Sequence, residues 1–486
     1  MTALSLGLRW VVLIAATMLA FAHTVGAAAV AVREGYELSY VPVVVSYAGF
    51  AAIAVRRRNR PVVEIHDRET DFIVAAIGVV FSLVAASLLA PTISGGARMW
   101  RIDLLMMWVF AVSGATVLFG LRRVFQYRWA WLTLILIWPL PVRLLMFGLG
   151  HGSFRWIAGL HLAVIVALLI IGRRPGERLW WLAPAAALLV AAPLVGLDID
   201  RSPRLAVVAP LVAIVAGGLC WLLRDEWDWR GLRKPVVSRP LPAMAGLMVA
   251  AVIGYVVVPP LPPLRQLPEL PVRSSADGPG TVVPAGWTLL NKTSYPGQSA
   301  YFGVHATWYR YRIQARDAAA GPGAVDGVGR KRQMVIDELT TERPRTFDLF
   351  GLQTTYPIGD FELTPAVNVD LGHGVRGELH AAVDPRARLT WSMVTFSFTL
   401  PSAAVAGTAS GGPAQVGQRI TLLLVDDHRP TAPFPRPTRA MLDSLRAVLT
   451  AVLRRSGDVR PPPIKNADLL VSAAQRIVNQ RVEGAS

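Results

Sequence analysis

A single cysteine, Cys220, stands among 486 residues, with no CxxC spacing and no cluster of metal-binding side chains around it. One thiol cannot close an intrachain disulfide, and a His/Cys metal centre would lack its ligands. GxSxG, HExxH and phosphate-loop spacings are missing as well, so no hydrolase or nucleotide signature is present and no cofactor or metal is expected. The formal net charge is +17, yet zinc-finger spacings, RNA-binding aromatic motifs and a basic helix are lacking, which argues against nucleic acid as a partner. Charge itself is scarce. Charged residues make up 17% against 53% hydrophobic, and the mean hydropathy is +0.44, a composition of membrane proteins.

What the chain does contain is a series of long apolar runs. They lie near 10–30, 38–55, 71–92, 101–121, 129–149, 155–172, 178–197, 204–223 and 241–259 and predict nine transmembrane helices. Most reach the roughly 20 residues needed to cross about 30 Å of hydrocarbon. With Arg9 inside, the inside segments hold seventeen Arg or Lys residues and the opposite loops seven. This asymmetry predicts a cytoplasmic N-terminus, and an odd span count then places the C-terminal part outside the cell membrane. Arg56, Arg57, Arg58 and Arg60, directly behind the second run, act as topology anchors. Small residues in "HTVGAAAVA" also suit signal-peptide processing, but the preceding apolar core exceeds the usual h-region, so an uncleaved anchor is expected.

Four regions follow from the pattern: a helical membrane domain (1–260), a proline-rich linker (261–285), an extracytoplasmic β-rich domain (286–435) and an amphipathic helical tail (436–486). The linker "VVVPPLPPLRQLPELPVRSSADGPGTVVP" reads as an extended spacer that rests on the membrane or packs on the domain. "AYFGVHATWYRYRIQA", "RQMVIDEL", "TFDLFGLQTTYPI", "FELTPAVNVDLG", "VRGELHAAVD", "LTWSMVTFSFTL" and "RITLLLVDD" read as strands of a sandwich or an α+β domain. "PTRAMLDSLRAVLTAVLRR" and "NADLLVSAAQRIVNQRV" carry helical stripes, to be packed on the domain or the membrane.

Ionisable residues recur at the outer ends of the runs. Glu34 and Glu37 occupy the first outer loop. Arg98 and Arg101 flank the second, with Asp103 deeper and Arg98 its candidate partner. Arg143, His151 and Arg155 mark the third. Asp198, Asp200, Arg201 and Arg204 mark the fourth. Such side chains often only snorkel or pair. Their shared level also suits an anionic lipid head group, gripped by the guanidinium forks of Arg98, Arg101, Arg143, Arg155 and Arg204. In "DLGHGVRGELH", strand alternation puts Arg376, Glu378 and His380 on one polar face. Cys220 falls near the inside end of its run and reads as an inert buried thiol.

"YELSYVPVVVSYAGFAAIAVRRRNRP", "GATVLFGLRRVF" and "WLTLILIWPLPVRLL" together resemble the exosortase/archaeosortase family over about residues 35–150. That resemblance implies a multispanning protein of cell-surface processing, whose relatives use an extracytoplasmic cysteine, an arginine and a polar base. The cysteine motif is not kept here, so no catalytic residue carries over. The expectation is a divergent or non-catalytic relative in cell-envelope or surface-polymer assembly. Its partners would be membrane lipid, a lipid-linked glycan or an envelope protein. The alternative is a membrane glycosyltransferase using a polyprenyl-phosphate sugar, with Glu34 or Glu37 as general base.

Overall fold

The computed structural model describes residues 6–33, scattered positions between 38 and 55, 68–92, 97–143, 241–261, 265–271, 282–296, 302–303, 306–325, 329–356, 358, 361–384, 389–401, 415–426, 434–437 and 464–483. The chain divides into two compact units, Met1–Pro262 and Pro263–Ser486.

The first unit is helical: α1 (Leu6–Ala20), α2 (Ala22–Arg33), α3 (Arg68–Thr92), α4 (Ile102–Phe119), α5 (Leu121–Gln126), α6 (Arg128–Leu134) and α7 (Leu241–Val257). Among the described residues two helices are long and apolar enough to cross a membrane, Glu69–Leu89 and Ile102–Phe119, or three if a bent pair counts as one span. The protein is therefore membrane-associated. Close approaches fix the helix directions. Asp71 at the start of α3 accepts the Leu121 amide beyond the end of α4 at 3.0 Å, and Arg9 of α1 donates to the Leu118 carbonyl at 2.9 Å. Gly114 of α4 faces Leu13 and Leu247, and Gly254 of α7 faces Ala20 and Leu83. Thus α4 runs against α1, α3 and α7. A Cβ on Gly254 would sit 2.9 Å from that of Ala20, so glycine lets these helices close, as small residues do in membrane bundles.

Three expected spans come out differently. The first, read as continuous over 10–30, breaks at Phe21, where the two helices meet at 87°. No proline stands there. Thr17 spends its hydroxyl on the Leu13 carbonyl at 2.8 Å, a back-bond that bends helices, and Phe21 packs edge-on against Phe110. The fifth is interrupted by "WPLP": its apolar helix covers Arg128–Ile137. Pro139 forces Trp138 into extended backbone, and helix resumes from the proline. The ninth is a 17-residue helix, about 25 Å long and short of the bilayer core. The sixth to eighth lie outside the described residues, and the second is described only at scattered positions.

The second unit is built on one open antiparallel sheet of eight strands: β1 (Trp287–Ser294), β2 (Thr307–Ala315), β3 (Gln333–Thr341), β4 (Glu362–Leu363), β5 (Val367–Asp370), β6 (Arg376–Asp384), β7 (Leu389–Pro401) and β8 (Gln415–Val425). Their order is β1-β2-β3-β8-β7-β6-β4, with β5 also on β6. One face presents Ile336, Ile420, Leu422, Val394 and Phe396 to α8 (Ala467–Glu483). Leu470, Ala473, Ala474 and Ile477 recur at helical spacing and are fully buried, so the helix docks by one stripe. Each such Leu or Ile contributes about 1.5–3 kcal/mol. The architecture is α+β, not a sandwich. The other expected tail helix lies outside the described residues.

Part of the linker belongs to this unit. Thr399 donates to the Pro268 carbonyl at 2.9 Å and accepts from Leu270 at 3.0 Å, beyond the point where β6 stops pairing with β7. Proline can still accept, so the segment extends the sheet, and Leu270 is fully buried. One expected strand is also corrected. "TFDLFGLQTTYPI" forms two short helical turns, Thr346–Leu349 and Leu352–Thr355, whose Phe347, Leu349, Phe350 and Tyr356 are buried.

Candidate functional site

The polar residues of the sheet unit collect on the face opposite α8. Alternation decides this: with Ile336 turned to the helix, Asp337 turns away, and register puts it beside Arg310 of β2. Arg310 grips both Asp337 oxygens, at 2.7 and 2.6 Å. Tyr356, from the helical turns, donates its hydroxyl to the same carboxylate at 2.5 Å. Burial opposes the Arg310 charge, but the bond to Asp337 and its charge raise the guanidinium pKa above its usual value. Burial, with the adjacent carboxylate, raises the Tyr356 phenol well above its ordinary range. Nearby, the Thr395 and Thr421 hydroxyls meet at 3.2 Å.

Arg419 of β8 lies on this face too, donating to the Phe350 carbonyl at 2.6 Å and to that of Phe347, with its fork 4.5 Å from the Phe347 ring. Burial lowers its pKa to about 10, against the pull of Asp348, so it stays cationic at neutral pH. It ties the two helical turns to the sheet. On the α8 face a second network forms. Glu338 Oε1 accepts from Gln418 at 2.6 Å and from Arg481 of α8 at 2.7 Å, while Oε2 accepts from Tyr311 at 2.8 Å. Burial and the Glu338 charge raise the Tyr311 phenol.

Of the residues singled out from sequence, Arg376, Glu378 and His380 do share one side of β6, alternating with buried Gly377 and Leu379. The His380 imidazole, 4.0 Å away and too far for a direct hydrogen bond, and the bonded Arg265 guanidinium hold the Glu378 carboxyl down at about 2 despite burial. Arg265 comes from the linker, a partner the sequence did not suggest.

In the helical unit Arg98, Arg101 and Arg143 converge where α4 begins. Asp103 pairs with Arg101, not with Arg98: two bonds of 3.0 Å join them, and both are buried. Arg101 stands just before α4 with left-handed backbone, φ 43°, and its side chain reaches forward to Asp103 in the first turn. Arg143 donates to the carbonyls of Arg98, at 3.3 Å, and Met99. Glu34, Glu37, His151, Arg155, Asp198, Asp200, Arg201, Arg204 and Cys220 lie outside the described residues.

Sequence reading missed Arg310, Asp337, Glu338, Arg419 and Tyr356. The available signal was charge inside strand-forming segments rich in apolar residues: Arg310 in "TWYRYRIQA", Asp337 and Glu338 in "VIDEL" and Arg419 in "QRITLLLV". Among the described residues no three His, Cys, Asp or Glu side chains converge as metal ligands. Chemically, the sheet networks clamp elements together. The displaced tyrosines and Glu378 move away from neutrality, whereas a general acid or base works best near the operating pH. Comparison with protein-family models, curated proteins and solved structures returns no match.

Proposed function

We propose that this chain is a multi-pass integral membrane protein of the cell envelope, a divergent and non-catalytic exosortase-like relative. It holds its sheet unit outside the cell membrane, where that unit receives a lipid, a lipid-linked glycan or an envelope protein during surface-polymer assembly. The observation that carries this reading is the state of the charged groups in the sheet unit: Arg310 with Asp337, Arg481 with Glu338 and Arg265 with Glu378 are committed to one another. Support for the orientation comes from the helix directions, which alternate as the charge asymmetry requires. In α1, α3 and α7 the chain runs away from the Arg9 end, and in α4 it runs toward it.

A polyprenyl-phosphate glycosyltransferase is the second reading, favoured by the gathering of Arg98, Arg101 and Arg143 at one end of α4. It requires Glu34 or Glu37 to act as base. A strain lacking the gene, complemented with Glu34→Gln, Glu37→Gln or a chain without residues 286–486, separates the two by its envelope lipids and glycans. The scaffold reading expects both Gln variants to restore the envelope and the truncated chain to fail. Loss of one glycolipid in either Gln strain, with protein level unchanged, makes the enzyme reading correct, since losing a general base costs about 10²–10⁴-fold.

A further inference from the structure

The helical unit contains a half-open cavity of about 710 Å³ between α1, α4, α5, α6 and Val45, Ala48, Gly49 and Ala52 of the second apolar run. Its walls are almost entirely apolar, with Leu13 and Trp108 along its length and Trp10, Phe119 and Tyr127 toward one end. At that same end stands Arg123, which lines the space, and Arg9 is within electrostatic reach of it. Arg9 itself is buried and donates to the Leu118 carbonyl at 2.9 Å. One guanidinium group, that of Arg123, thus stands at one end of a greasy space, with buried Arg9 behind it, beside aromatic residues of the kind that settle at a membrane–water boundary.

We propose that this cavity holds the chain of a long-chain lipid phosphate, with the phosphate at Arg123. Size favours a lipid over a helix of a second copy: a helix about 10 Å across fills roughly 400 Å³ per turn, so the space takes fewer than two turns. The volume suits a ligand-sized chain instead, within the roughly 300–1,000 Å³ of small-molecule sites. Charge selects the head group. A phosphate at Arg123 offsets the repulsion between its guanidinium group and that of buried Arg9 and accepts the forked donors of Arg123. This site lies at the opposite end of α4 from Arg98, Arg101 and Arg143, and it stands whether or not the proposed function does.

Full-length protein in phosphatidylcholine nanodiscs tests it, with lipid retained after detergent extraction read by native mass spectrometry. The probes are phosphatidylglycerol, a polyprenyl phosphate and uncharged diacylglycerol. Wild-type protein should retain one or both phosphates at least about tenfold over diacylglycerol, and which one is retained identifies the source. Arg123→Gln should lose that preference, Arg123→Lys should keep most of it, and Ala111→Trp, which fills the cavity, should retain none of the three. Wild-type protein that retains no lipid, or that treats diacylglycerol and phosphates alike, overturns the proposal even if a variant fails to fold. So does an Arg123→Gln protein with undiminished selectivity.

Discussion

Asp337 is the residue on which the polar side of the sheet turns. It is 2% exposed and takes three hydrogen bonds, two from Arg310 and one from Tyr356. Removing its charge strands a buried guanidinium, so Asp337→Asn should cost about 3–5 kcal/mol, whereas Arg310→Met with Asp337→Leu and Tyr356→Phe, which removes the carboxylate and both its donors, should come closer to wild type. Hydrogen exchange across β2 and β3 reads both. Glu378 makes a pH prediction. Its carboxyl sits at about 2 in the folded chain, held by His380 and Arg265, against an ordinary value near 4.5. The contribution is therefore complete above about pH 4.5 and disappears as pH falls toward 2. Thermal unfolding between pH 6 and 2 should show Glu378→Gln converging on wild type at the acid end; curves that stay parallel throughout would refute the ion pair.

Among the elements, α8 and α7 depend on single positions. Arg481 near the end of α8 is 3% exposed and bonds Glu338 at 2.7 Å. Arg481→Leu leaves Glu338 with only the Tyr311 and Gln418 donors, and faster exchange should appear along 467–483 before it appears in β7. Gly254→Leu should separate α7 from α1 and α3, since even a Cβ there stands 2.9 Å from Ala20 and from Leu83; lost cross-linking between cysteines placed at 247 and 114 would show it. Elements were unequally legible in the sequence. β2 and β6 declared themselves because buried and exposed residues alternate along them. β1 did not, because seven of its eight residues are exposed and no alternation forms. The turns at 346–355 looked like a strand because Phe347, Phe350 and Tyr356 are strand-favouring types, but their burial comes from covering the sheet, a long-range fact. Likewise Arg419 is an isolated charge until the Phe347 and Phe350 carbonyls arrive 69 or more residues away in sequence.

In the whole molecule, a membrane-associated helical unit is followed by a sheet unit that the chain enters after α7. Composition made the membrane part legible, and positive charge suggested its direction, because both are sums over many residues. The broken first span was not legible, since it turns on how Phe21 meets Phe110. Cys220→Ser should leave any surface phenotype intact, as expected of an inert thiol. The location of the sheet unit decides the proposed function most directly. Fusions placed after Pro61, after Arg98 and after Ser486, each made with a reporter active only in the cytoplasm and with one active only after export, read that location. The account predicts cytoplasmic activity at Pro61 and exported activity at Arg98 and Ser486. Cytoplasmic activity after Ser486 would contradict it.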